Sequence, residues 1–200
     1  MAGAHSVGLI GLNGAGKTSL LKTFLSLHDG SRLSNAAVAL DQLSTWFSGI
    51  KIPHQVYYLS EHNPLPDRCR GQEYLYHITR IYPHAVYADP FALTTALGQW
   101  ISQYSKGQRQ QLSLTAAVIS QQPLVILDEP ATGLDLKARQ QLKRVLKSQH
   151  SLICSHDLDM IQTQCESLIV MHQRQVIFCG QLDDFTGPSS LADAFMQSIQ

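Results

Sequence analysis

An α/β domain with a mostly parallel core sheet, flanking helices and an inserted helical part is the fold class that this 200-residue sequence predicts. Three observations lead there. Residues 7–10 (VGLI), 124–127 (LVIL) and 152–154 (LIC) are short apolar runs without alternation, as expected of strands buried on both faces. Patterns of helical period separate them. The first run also ends in a glycine-rich turn that opens directly into one of those helices.

Along the chain, the helix after residues 7–10 places Leu20, Leu21, Phe24 and Leu27 on one face and stops near Asp29 and Gly30. Residues 36–40 read as a strand and 44–49 as a loop. Val56–Leu59 is strand-like and runs into a polar turn at 60–64. From about 66 to 98 the pattern is helical, with Tyr74, Leu75, Ile78 and Ile81, then Phe91, Leu93 and Leu97, punctuated by Pro83 and Pro90. A further helix runs from near Ser105 to about Ser120. Two apolar runs around Gln173 and Arg174 make 170–180 a hairpin, and 191–199 has the pattern of an amphipathic helix. The expected organisation is one domain, with a core of residues 1–65 and 121–200 and a helical subdomain of about 66–120.

Composition narrows the function classes. Hydrophobic residues make up 44% and charged residues 15%, enough apolar side chains for a full core and against disorder. Lys+Arg and Asp+Glu both number 15, which argues against binding polyanions through bulk charge, and no nucleic-acid partner is expected. Cys69, Cys154, Cys165 and Cys179 are scattered without a C-x-x-C pair, the pattern of reduced thiols rather than of a disulfide or zinc framework. Residues 1–6 lack the charged and apolar regions of a secretory signal. No apolar run approaches the roughly 18–20 residues that span a bilayer.

Residues 11–18, GLNGAGKT, fit G-x-x-x-x-G-K-[ST] in full. Gly11, Gly14 and Gly16 let the backbone turn tightly, so that successive N–H groups point at phosphate oxygens, and the following helix adds its dipole. Lys17 reaches the β- and γ-phosphates, and Thr18 offers a hydroxyl to Mg²⁺. Asn13, Gly14, Ala15, Gly16, Lys17, Thr18 and Ser19 are therefore the candidate phosphate-binding set. Asp128 and Glu129 stand at the end of a core strand, in LVILDEP. Asp128 suits the Mg²⁺ shell; Glu129, projecting differently, is placed to orient or deprotonate an attacking water. Ser105 with Gln108 three residues on forms a capping box, and with Gly107 it leaves an accessible, positively polarised helix end. One lysine-bearing cradle and a second such helix end suggest a site shared by two chains.

The order of cradle, S-x-G-Q, D-E-P and a strand ending in Ser155-His156 resembles the nucleotide-binding subunit of ATP-binding cassette (ABC) transporters over about residues 6–182. The resemblance implies a P-loop NTPase fold and an ATP-hydrolysing subunit using ATP and Mg²⁺. It implies a homodimer or heterodimer of such subunits on a transmembrane permease, at the inner face of the cell membrane. Ser105, Gly107 and Gln108 would then act in trans on the γ-phosphate held by the other copy. Residues 132–135, ending in Asp135, resemble the dimer-contacting loop, and His156 resembles the histidine that senses the γ-phosphate.

Three departures accompany it. Glu61 stands where the family usually has glutamine, as in an export-type and gliding-type branch; it can coordinate Mg²⁺ through water. Lys106 and Tyr104 replace a usual glycine and leucine, and Lys106 either adds charge to the γ-phosphate site or points to solvent. Only ten residues precede Gly11, so the family's antiparallel leader strands and adenine-stacking aromatic are expected to be reduced or missing. His5 is no substitute, because at strand rise it lies roughly 20 Å upstream of the cradle. ATP rather than GTP follows from the resemblance alone. The competing readings are a soluble cassette ATPase acting on nucleic acid or the ribosome, and a non-hydrolysing nucleotide-dependent regulator. The first lacks a tandem cassette or basic surface here, and the second is opposed by Glu129 and His156.

Overall fold

The apolar runs serve two cores at once. In the computed structural model, which describes residues 5–26 and 36–199, β1 (Ser6–Gly11), β2 (Val56–Leu59), β3 (Leu124–Asp128), β4 (His150–Cys154), β5 (Ser167–His172) and β6 (Gln175–Gln181) form one sheet in the order β2-β3-β4-β1-β5-β6. The first five strands of that order are parallel, and β6 returns antiparallel to β5. On β3, Val125 and Leu127 enter one core while Leu124 and Ile126 enter the other; on β5, Leu168 and Val170 divide from Ile169 and Met171 in the same way. Strands covered on both faces have no solvent side to carry polar residues.

One face is covered by α1 (Lys17–Phe24) and α2 (Ala36–Trp46), which contribute Leu20, Leu21, Phe24, Ala39 and Leu43. The other is covered by α3 (Gly71–Ile81), α4 (Lys106–Ile119), α5 (Leu136–Leu146), α6 (Leu158–Gln164), α7 (Leu182–Thr186) and α8 (Leu191–Ser198). Fully buried side chains such as Leu20, Leu21 and Leu112 each contribute about 1.5–3 kcal/mol through removal from water.

Two sequence expectations are corrected. Residues 36–46 are helical throughout, not a strand and a loop. Alanine is the strongest helix former, and the helix buries Ala36, Ala39 and Leu43 at helical spacing while Val38 faces solvent. The Ser44 and Thr45 hydroxyls donate to the carbonyls of Leu40 and Asp41, four residues back, which keeps them in the helix. Between 66 and 98 only α3 is α-helical; residues 82–99 form turns and irregular backbone, and Trp100 bridges to Arg70. Tyr82 precedes Pro83, is extended (φ −101°, ψ 118°) and ends α3, as the clash with a proline ring requires. Phe91, Leu93 and Leu97 still reach the core, but from a loop.

The hairpin at 170–180, the helix from Ser105 to Ser120 and the final helix are present as expected. Leu27 and the stop near Asp29–Gly30 lie outside the described residues. His5 sits at the start of β1, where its backbone N–H donates to His150 Nδ1 (2.9 Å), at the sheet edge opposite the glycine turn. No helix among the described residues is long and apolar enough to cross a membrane.

Candidate functional site

Parallel strands end on the same side, so the turn after β1, the acids ending β3 and the residues after β4 meet at one sheet edge. They line an open cleft of about 1180 Å³. Its floor is the loop between β1 and α1. Gly14 (φ 79°) and Gly16 (φ 98°) are left-handed, the region that glycine enters freely. A side chain at Gly11 would collide with the Met171 carbonyl oxygen of the neighbouring strand. Asn13, Gly14, Gly16, Lys17, Thr18 and Ser19 line the cleft, and Ala15 lies buried beneath, its N–H closing the turn onto the Leu12 carbonyl (3.1 Å). Among the described residues no side chain caps the start of α1, which leaves its first N–H groups for an anion. The Lys17 ammonium folds back over the loop and donates to the carbonyls of Gly11 (2.8 Å) and Leu12 (3.2 Å).

Above the floor, Thr18 Oγ1 donates to Asp128 Oδ2 at 2.9 Å, and Asp128 is only 2% exposed. A hydroxyl and a buried carboxylate side by side are hard oxygen donors. They fit Mg²⁺, which takes few protein ligands and fills its shell with water and phosphate. Among the described residues no group of three or more His, Cys, Asp or Glu could hold a metal alone.

Glu129 takes a different course from its neighbour because its backbone is left-handed (φ 52°), which is uncommon for a residue with a side chain. Its N–H donates to the Cys154 carbonyl (2.8 Å). Its carboxylate accepts from the His156 N–H (3.1 Å) and the Ser155 hydroxyl (3.3 Å), and lies 2.7 Å from His156 Nδ1. Glu129 is mostly covered whereas His156 is largely exposed to the cleft. Glu61 reaches the rim from the turn after β2.

Ser105, Gly107 and Gln108 stand elsewhere. Ser105 caps α4 as expected: Gln108 N–H donates to Ser105 Oγ (3.2 Å) and Ser105 N–H to Gln108 Oε1 (2.9 Å). None of the three lines the cleft of its own chain, and Ser105 is exposed. This helix end rests on the segment after the acids: Gln110 donates to the Pro130 carbonyl (2.9 Å), and a side chain at Gly107 would come within 2.8 Å of the Gly133 carbonyl oxygen. The Lys106 stem lies over Gly133. Asp135 is also outside the cleft, its carboxylate capping α5 by accepting from Ala138 N–H (2.8 Å).

Two residues near the cleft, Arg174 and Tyr58, escaped sequence reasoning. Ser155 and Thr132, named in sequence only as parts of longer motifs, also line the cleft. Arg174 reads in sequence only as a hairpin turn, and its place at the cleft needs the strand order. Tyr58, on the same sheet face as Asp128, has a buried hydroxyl with no hydrogen-bond partner among the described residues. Burial, then the nearby Asp128 carboxylate and Cys154, push its pKa up to about 12.

Comparison with known proteins gives a consistent result. The ABC transporter family profile matches residues 2–132. The ABC transporter ATP-binding protein NatA of Bacillus subtilis is 30% identical over 194 residues, covering 88% of this chain and 77% of that protein. The vitamin B12 import ATP-binding protein BtuD of Salmonella heidelberg is 30% identical over 206 residues, covering 94% and 80%. A solved structure of an ATP-binding subunit of an ABC transporter superposes with a TM-score of 0.79 at 26% identity, over 97% of this chain and 88% of that one. With its phosphate loop, acid pair and histidine assembled at one sheet edge, the chain belongs to the ABC transporter family as one of its ATP-hydrolysing subunits.

Proposed function

We propose that two copies of this subunit, or this chain and a similar one, close face to face on two Mg·ATP and thereby drive a separate transmembrane permease. The loop amides and Lys17 hold the phosphates. Thr18 and Asp128, with Glu61 through water, hold the Mg²⁺, which neutralises phosphate charge when bound. Glu129 receives the proton of the attacking water, and His156, kept in place by Glu129, faces the γ-phosphate. Ser105, Gly107 and Gln108, with Asp135 in the contacting loop, complete the site of the opposite copy.

One observation carries this reading above the others. Lys17, Thr18, Asp128 and Glu129 line one cleft, yet the serine-capped start of α4 stands exposed outside it in the same chain. Residues 1–65 and 121–200 act as the core and 66–120 as the arm presenting α4. The permease grips the region around residues 60–85, where Tyr76 and Ile81 on α3, with Val86 and Tyr87 just beyond, are exposed. The subunit then works at the inner membrane face, bound through that partner.

Size-exclusion chromatography of Glu129→Gln with Mg·ATP tests the pairing. The expected result is a dimer with nucleotide and a monomer without it. A nucleotide-loaded variant that stays monomeric at all concentrations contradicts it.

A further inference from the structure

Arg174 has no part in the machinery above, yet it lines the same cleft. Its place follows from the strand order. β3 and β4, whose ends carry Asp128, Glu129 and His156, lie on one side of β1, and the β5–β6 hairpin lies on the other. Gly11 pairs with Met171, so the hairpin turn rises beside the start of the phosphate loop. Both turn residues are left-handed, Gln173 at φ 47° and Arg174 at φ 63°, the backbone of a tight two-residue hairpin. That backbone fixes the direction in which the arginine leaves the turn, and its side chain lines the cleft. The side chain is exposed, and among the described residues no carboxylate pairs with it. Beside it, Leu12 is 49% exposed and also lines the cleft.

The terminal phosphate has to meet Glu129 and His156, on the β3–β4 side. A triphosphate laid along the loop from there sends its nucleoside out on the opposite side, toward the hairpin turn. We propose that Arg174 and Leu12 form the subsite for the nucleoside end of the nucleotide, with the guanidinium stacked on the base and Leu12 as an apolar floor. A guanidinium is planar and weakly hydrated, and it stacks on aromatic faces as an ammonium does not. Stacking of this kind distinguishes a nucleotide from bare polyphosphate and accepts either purine. The subsite rests on the cleft being a nucleotide site, and its test is arranged to separate the two.

Isothermal titration calorimetry in Mg²⁺ buffer measures ATP and inorganic tripolyphosphate separately on the native chain, Arg174→Ala and Lys17→Ala. Arg174→Ala is expected to weaken ATP about tenfold, a loss within the range of a stacked cation, and to leave tripolyphosphate binding and the thermal midpoint unchanged. Unchanged ATP affinity overturns the subsite, and so does an equal loss for both ligands, which would put Arg174 on the phosphates. Lys17→Ala is expected to lose both ligands. If it binds both like the native chain, the nucleotide reading of the cleft itself fails and the subsite falls with it.

Discussion

Glu129 is the residue where the backbone and the proposed chemistry meet. A left-handed residue with a side chain costs on the order of 1–3 kcal/mol, and here the conformation turns the carboxylate away from Asp128 and onto Ser155 and His156. As the proposed base, Glu129 replaced by Gln should lower the single-turnover rate by about 10²–10⁴-fold with ATP affinity retained. An unchanged rate would remove it from that role. Tyr58 gives the opposite kind of prediction. Its buried hydroxyl has no partner among the described residues, and an unsatisfied buried group of this kind costs about 1 kcal/mol or more. Tyr58→Phe should therefore raise the unfolding midpoint of the nucleotide-free protein by a few degrees, as read by calorimetry; a lower midpoint would mean that the hydroxyl is satisfied. Sequence named Lys17, Thr18, Asp128 and Glu129 because each falls at a fixed offset in a motif. Tyr58 and Arg174 carry no such offset and become visible only through their neighbours on adjacent strands.

Among the elements, α4 is the most informative. Ser105→Ala removes the acceptor of the Gln108 N–H and should cost about 0.5–2 kcal/mol of stability. If this helix end acts on the nucleotide of a facing copy, the same variant should hydrolyse poorly while a single chain still binds ATP normally; full activity would detach α4 from catalysis. Gly107→Asp is a less clean probe, because its side chain would press on the Gly133 carbonyl within the chain. The core strands and α4 were legible because unbroken apolar runs and a capping box are local signals. Residues 36–46 misled because a short alanine-rich apolar run suits a buried strand or a helix until a neighbour fixes its face. Residues 82–100 misled because Phe91, Leu93 and Leu97 keep apolar spacing after prolines have already ended the helix.

At the scale of the whole molecule, the two-core sheet buries groups that titrate at alkaline pH. Burial holds the Cys154 thiol and the Tyr57 hydroxyl far above their ordinary ranges, and pushes Cys165 up to about 12 and Cys179 up to about 11. The unfolded chain releases thiol protons from near pH 9 while the fold retains them, so stability should fall as pH rises from about 9 toward 12. Urea midpoints at pH 8 and pH 10 check this, with the lower value expected at pH 10 and equal values contradicting it. Strand order, which no local pattern encodes, brings the loop, the acids and the histidine to one edge and leaves Ser105 outside. Sharing of each nucleotide between two chains is read out by mixing two inactive variants, Lys17→Ala and Ser105→Arg. Each alone should be near background, and an equal mixture should recover roughly a quarter of the native rate, because half of randomly formed pairs contain one intact site of two. A mixture no faster than its parts, or a Ser105→Arg chain at full activity alone, would contradict such sharing.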